Sequence, residues 1–124
     1  MDNIDVGKLL TRIGALLIII AGVVQIGEYA IYVVNDLINY GGIYFWPAFG
    51  VVSGVIAVIF GFLIFFIFLR MVDTNRINAA IIILIFGIIG AVFAYEWGII
   101  GGPGAVLCLV GAILFFIESE GGGA

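Results

Sequence analysis

Hydrophobic residues run along this chain in four long blocks, and within them polar residues do not recur at a period of two. The blocks cover about residues 9–28, 47–69, 77–97 and 98–117. Each is near the ~20 residues that an α-helix needs to cross a hydrocarbon layer ~30 Å thick. Backbone amides cannot stay unpaired in lipid, so such blocks predict helices. A membrane-spanning strand would alternate in polarity over about ten residues, whereas Ile81-Ile82-Ile83-Leu84-Ile85-Phe86 is apolar at every position. The pattern predicts an all-α membrane protein with one domain. It is an antiparallel bundle of four transmembrane helices, arranged as two hairpins.

The segments between the blocks refine this. Residues 29–46 are long and not polar, and they predict an outer interfacial segment. Tyr29-Ala30-Ile31-Tyr32-Val33-Val34 continues the helical pattern past Glu28, while Asn35, Asp36 and Asn39 interrupt it. A helix lying along the membrane surface fits this pattern, and Gly41-Gly42 would end it. Pro47 falls in the first turn of the second helix, where proline is accepted. Pro103 is less comfortable. A helix from Pro103 to Ile117 is only about 22 Å long. The fourth helix is therefore expected to have a short, partly broken start, either kinked at Pro103 or with Gly98–Gly102 entering the membrane as non-helical chain. The first block is as long as a full span and is read as a retained helix, not a cleaved leader. Residues 118–124 are expected to form a flexible tail, and its Gly121-Gly122-Gly123-Ala124 is set aside.

Charge gives the orientation. Lys8, Arg12, Arg70 and Arg76 all fall at one end of the predicted bundle, and the loops at the other end hold Glu28, Asp36 and Glu96 without a base. The positive-inside rule then places both termini in the cytoplasm, with the bundle in the cell membrane. Every Tyr and Trp lies at the opposite, outer end: Tyr29, Tyr32, Tyr40, Tyr44, Trp46, Tyr95 and Trp97. Such rings favour the headgroup layer. They read as an anchoring belt or as a surface for a partner.

Small residues recur at steps of three and four. Gly50, Gly54, Ala57 and Gly61 do so in the second helix, and Gly87, Ala91, Ala94 and Gly98 in the third. Gly101, Ala105, Cys108 and Ala112 repeat the spacing in the fourth, and Gly14 and Ala21 give a weaker version in the first. These steps keep residues on one helical face. In a bilayer such faces let two backbones approach closely. They predict helix packing inside one bundle, or contacts between copies. Cys108, on its stripe, reads as a small packing residue. The order acid and aromatic, Gly pair, Pro occurs in both halves, around Glu28 to Pro47 and around Tyr95 to Pro103. This suggests a parallel internal repeat.

Composition narrows the chemistry. Of 124 residues, 65% are hydrophobic and 10% charged, against about 25% charged in a soluble domain. With no His and one Cys, the chain lacks imidazole chemistry, a Cys-X-X-Cys motif and an iron–sulfur site. No catalytic residue, cofactor-binding residue or metal ligand is identified, and neither an enzyme nor a nucleic-acid binder is expected. Asp2, Asp5, Asp36 and Asp73 fall outside the four apolar blocks and are expected outside the membrane helices, against an aspartyl protease. Intramembrane polar residues are where function is sought. Gln25, Glu28 and Glu96 form the candidate ion or proton site. Glu28 lies about 24 Å from Arg12 along a helix, near the outer boundary. Gln25 and Glu28, three residues apart, could form an inward pair.

The stretch Arg12-Ile13-Gly14-Ala15-Leu16-Leu17-Ile18-Ile19-Ile20-Ala21-Gly22-Val23, with its Gly-spaced returning helices, resembles small four-helix membrane proteins of unknown function from archaea and bacteria. The unequal outer loops also resemble claudin-like and MARVEL tetraspans, but the paired loop cysteines of claudins and the Cys-Cys-Gly motif of tetraspanins are missing. None of their functions is carried over. The expected role is a structural or accessory subunit, or a self-assembling scaffold, with membrane lipid and a homo-oligomer or larger membrane complex as partners. A small oligomeric proton or cation channel using Gln25 and Glu28 is the alternative. A lipid-binding or membrane-shaping coat protein is another, suggested by Phe60, Phe62, Phe65, Phe66 and Phe68.

Overall fold

The computed structural model describes residues 2–121, and every regular element among them is helical. Helix α1 spans Asn3–Tyr40, α2 Phe45–Met71, α3 Arg76–Phe93 and α4 Gly98–Gly121. A 3-10 turn, Tyr95–Trp97, joins α3 to α4. The chain has four helices long and apolar enough to cross a membrane.

The longest is α1. Its 38 residues extend about 57 Å, nearly twice the thickness of a hydrocarbon core. Asp2 caps it by accepting a hydrogen bond from the Asp5 amide at 2.9 Å. Gly41 ends it with φ 70°, a left-handed conformation that glycine adopts without a Cβ penalty, and its amide donates to Leu37 O. The expected interfacial segment over 29–46 is therefore not a separate element. Most of it is the unbroken end of α1, followed by a four-residue connection and the start of α2. The cause is local. No Gly or Pro lies between Glu28 and Gly41, so nothing there breaks the helix, and Asn35 and Asn39 sit on its exposed faces.

The structure differs from the sequence reading in three further places. The third helix stops at Phe93, before the expected residue 97, because a side chain from α1 completes the backbone hydrogen bonds there, as described below. The fourth helix begins at Gly98 and continues through Pro103 without the expected broken start. Pro103 removes the donor for the Ile99 carbonyl. Ile99 lies on the outermost turn and is 90% exposed, so the loss falls at the rim and not in the core. Residues 118–121, expected in the tail, continue α4, and 122–124 lie outside the described residues.

The core is rich in small residues, with Ile18, Ile64, Ile83 and Phe115 among the few large side chains fully buried. Ala15, Ala21, Ala57, Ala79, Ala80, Ala94 and Ala112 are fully buried, while Ile20, Val23, Ile59, Ile85, Ile88, Val92 and Val106 point outward. A soluble protein places its large apolar residues inside. The opposite arrangement suits a bundle whose solvent is lipid, where close backbone approach holds helices together.

Helix α1 is the hub. Along one face, Gly7 meets Gly111 and Phe115 of α4, and Gly14 meets Gly104 and Cys108. Along the neighbouring face, Gly22 meets Gly54 and Val58 of α2, and Ala15 and Ile19 meet Gly61. A Cβ at Gly104 would lie 2.7 Å from Gly14 O, and one at Gly22 2.8 Å from Gly54 O. These are backbone-to-backbone contacts that no side chain can relieve by moving.

Candidate functional site

Polar side chains from three parts of the chain converge where α1 passes the turn between α3 and α4. At the centre is Gln25, fully buried. Its Nε2 donates to Gly50 O of α2 and to Phe93 O of α3, each at 3.0 Å. Its Oε1 accepts from the Glu96 amide at 3.2 Å. The carboxamide thus satisfies the last carbonyl of α3 and an amide of the following turn, groups that a helix end leaves without partners. One residue ties α1 to α2, to α3 and to the Tyr95–Trp97 turn.

Both candidate carboxylates lie one layer further out. Glu28 accepts from the Trp97 indole N–H at 2.8 Å and from the Tyr32 hydroxyl at 3.2 Å. Glu96 accepts from the Tyr29 hydroxyl. The acid at each outer turn is therefore held by an aromatic donor from the other. This reciprocal exchange parallels the acid-and-aromatic repeat in the sequence. Gln25 and Glu28 do not pair with each other as the sequence suggested. Gln25 turns to the backbone of its neighbours and Glu28 to Trp97. Tyr29 fits because Gly50 leaves room for its ring.

The aromatic residues form two tiers. The lower tier is Tyr29, Tyr32, Tyr95 and Trp97, level with the carboxylates, with Tyr29 5.6 Å from Tyr32 and 6.3 Å from Tyr95. The upper tier is Tyr40 and Tyr44, 6.2 Å apart. Trp46 joins the lower tier through Phe49, which is 6.2 Å from Trp46 and 6.3 Å from Tyr95. Beyond the Glu28–Trp97 contact, residues 30–40 of α1 continue for about 16 Å. Their outward side chains are largely bare, with Ile31 62% exposed, Ile38 75% and Tyr40 72%. At the foot of this projection an apolar groove of about 380 Å³ lies between α1 and α2, bounded by Val33, Val34, Ile43 and Val51.

The small-residue stripes lie inside the bundle. Gly14, Ala21, Gly50, Gly54, Ala57, Gly61, Gly87, Ala94, Gly101, Cys108 and Ala112 are buried, and Ala91 and Ala105 are half-buried. Gly87 faces Cys108, which sits between α1 and α3. Gly98 has open space around it and does not belong to its stripe. Sequence reasoning missed Gly7, Gly22, Gly104 and Gly111, which make some of the closest contacts. The signal for Gly7, Gly104 and Gly111 was the seven-residue step from Gly7 to Gly14 and from Gly104 to Gly111, and Gly22 lies outside that step. Among the described residues, no group of three or more His, Cys, Asp or Glu could hold a metal ion. No family model, curated protein or solved structure matches the chain.

Proposed function

We propose that the chain is a non-enzymatic integral membrane protein, a structural subunit that assembles with copies of itself or as an accessory to a larger membrane complex. It docks through the projecting outer end of α1. The helices run antiparallel as two hairpins, with both termini on the cytoplasmic side of the cell membrane. The descending order of contacts, Gly7 with Gly111 and Gly14 with Gly104, supports opposite running of α1 and α4. Lys8 to Glu28 is 20 residues, about 30 Å of helix, which matches the hydrocarbon core between the basic end and the lower aromatic tier.

One observation carries the docking role. If the lower tier anchors at the headgroups, Tyr40 at the end of α1 stands about 16 Å beyond it. A single interfacial belt does not serve both tiers. The end of α1 and the connection after it then present Ile38, Tyr40, Ile43 and Tyr44 as an exposed apolar and aromatic patch, the composition of an interface. Most of the Gly and Ala stripe positions are buried within the chain, which favours this patch as the surface for assembly. Light scattering of the protein extracted in mild detergent tests this. A protein mass several times 13.2 kDa, or stoichiometric co-purification of another membrane protein, is expected. A monomeric particle without partners contradicts it.

A second reading, a small oligomeric proton or cation channel, is favoured by the nearness of Glu28 and Glu96 around Gln25. Flux into liposomes that is absent with Glu28→Gln would support it. Wild-type flux no greater than that of empty liposomes would sink it.

A further inference from the structure

At the opposite end of the molecule, three of the four basic residues converge on one cavity. Lys8 and Arg12, one helical turn apart on α1, and Arg70, near the end of α2, line a space of about 230 Å³. That is room for roughly seven waters, more than the five heavy atoms of a phosphate need. Asp73 also lines it and pairs with Lys8 at 2.8 Å. It is the only acid there, and Lys8–Asp73 is the only ion pair among the described residues. Arg12 and Arg70 are exposed and have no acidic partner among those residues. The cavity keeps a net charge of two positives. Its remaining wall is apolar and includes Phe65 and Phe66.

The backbone explains why Arg70 is there. Buried positions along α2 follow steps of three and four through Gly50, Gly54, Ala57, Gly61 and Ile64, and the next is Leu69, five residues on. A π turn over Ile64–Phe68 absorbs the extra residue. It turns the last part of α2 by one position, so Leu69 is the next buried side chain, Phe68 packs against Phe86, and Arg70 reaches the cavity beside Lys8 and Arg12. Single π turns inside α-helices often mark functional sites.

We propose that this cavity binds the phosphate of an anionic membrane phospholipid, with the headgroup between Arg12 and Arg70 and an acyl chain along Phe65 and Phe66. Guanidinium groups bind phosphate oxygens in a bidentate manner. The apolar wall beside the charges favours a lipid over free phosphate. Basic sites between helices at the cytoplasmic boundary are suited to such headgroups. The proposal rests on the membrane-spanning reading and is independent of the docking role of α1.

Native mass spectrometry of the full chain, released from micelles containing equal phosphatidylglycerol and phosphatidylcholine, tests it. Retention of phosphatidylglycerol is expected to exceed that of phosphatidylcholine by roughly tenfold. The double variant Arg12→Gln, Arg70→Gln is expected to lose that preference. Asp73→Asn, at an exposed side chain, is expected to increase it and guards against misreading an unfolded double variant. Equal retention of the two lipids, or a preference unchanged in all variants, overturns the site. Saturable binding of inorganic phosphate to lipid-free protein, without lipid preference, reassigns the cavity to a free anion and also overturns the proposal. Release of the chain from membranes by alkaline carbonate would instead refute the membrane reading on which the site rests.

Discussion

Gln25 shows how one residue's place in the sequence and its work in the fold can differ. A lone carboxamide deep in an apolar block is visible at once as an intramembrane polar group, and the sequence suggested an ion or proton site. Its partners were not visible, because they depend on where α3 stops, and α3 stops where Gln25 completes its hydrogen bonds. Gln25→Leu leaves Gly50 O, Phe93 O and the Glu96 amide without those bonds. A loss of about 2 kcal/mol of stability is expected, read from unfolding in mixed micelles. An unchanged midpoint would mean that the carboxamide does not hold the helices. The glycines permit a sharper comparison. Gly104→Ala places a methyl 2.7 Å from the Gly14 carbonyl, with no side chain to move aside. It is expected to destabilise by about 1–3 kcal/mol, as overpacking does. Gly98→Ala, with open space around it, is expected to be neutral or to stabilise slightly in the same assay. The stripes were legible from spacing, yet Gly22 and Gly104 escaped because each lies beside a face the spacing had already assigned.

Among the elements, α1 departs furthest from a hydropathy reading. Hydropathy locates the part inside lipid, but helix continuity is a separate property, decided by capping and by the absence of breakers. The sequence showed both Gly41 as the stop and the helical pattern past Glu28. It did not show that the helix runs unbroken to Tyr40. Residues 30–40 make few contacts with the rest of the bundle, and their exposed residues include Ile31, Val34, Leu37 and Ile38. Their amides are expected to exchange with deuterium much faster than those of residues 14–25 in separated chains, and to slow on assembly. Hydrogen-exchange mass spectrometry at two protein concentrations reads this. Equal protection of both segments under all conditions would argue against a free end. The π turn of α2 was not legible at all. Its sequence, Ile64-Phe65-Phe66-Ile67-Phe68, is uniformly apolar, so a one-residue shift in the buried face leaves no mark in the hydrophobic pattern.

For the whole molecule, the sequence made the class of fold plain, since 65% hydrophobic residues in four blocks leave few alternatives to membrane helices. It did not reveal the hub arrangement, in which α1 carries two adjacent small-residue faces against α2 and α4, while α3 packs mainly on α4 and α2. Nor did it reveal that the molecule has two unlike ends. One end gathers cations around a cavity. The other carries a layer of hydrogen-bonded carboxylates with an apolar mast above it. The central claim is that the mast is an interface. Photo-cross-linking in intact membranes tests it most directly, with a benzophenone amino acid placed at Ile38. A control probe at Val92 samples an exposed position on the bundle. The account predicts that the probe at Ile38 yields a discrete adduct heavier by one protein chain, either a second copy or a partner, and that the probe at Val92 does not. No protein adduct at Ile38, or the same adducts from both positions, would contradict it.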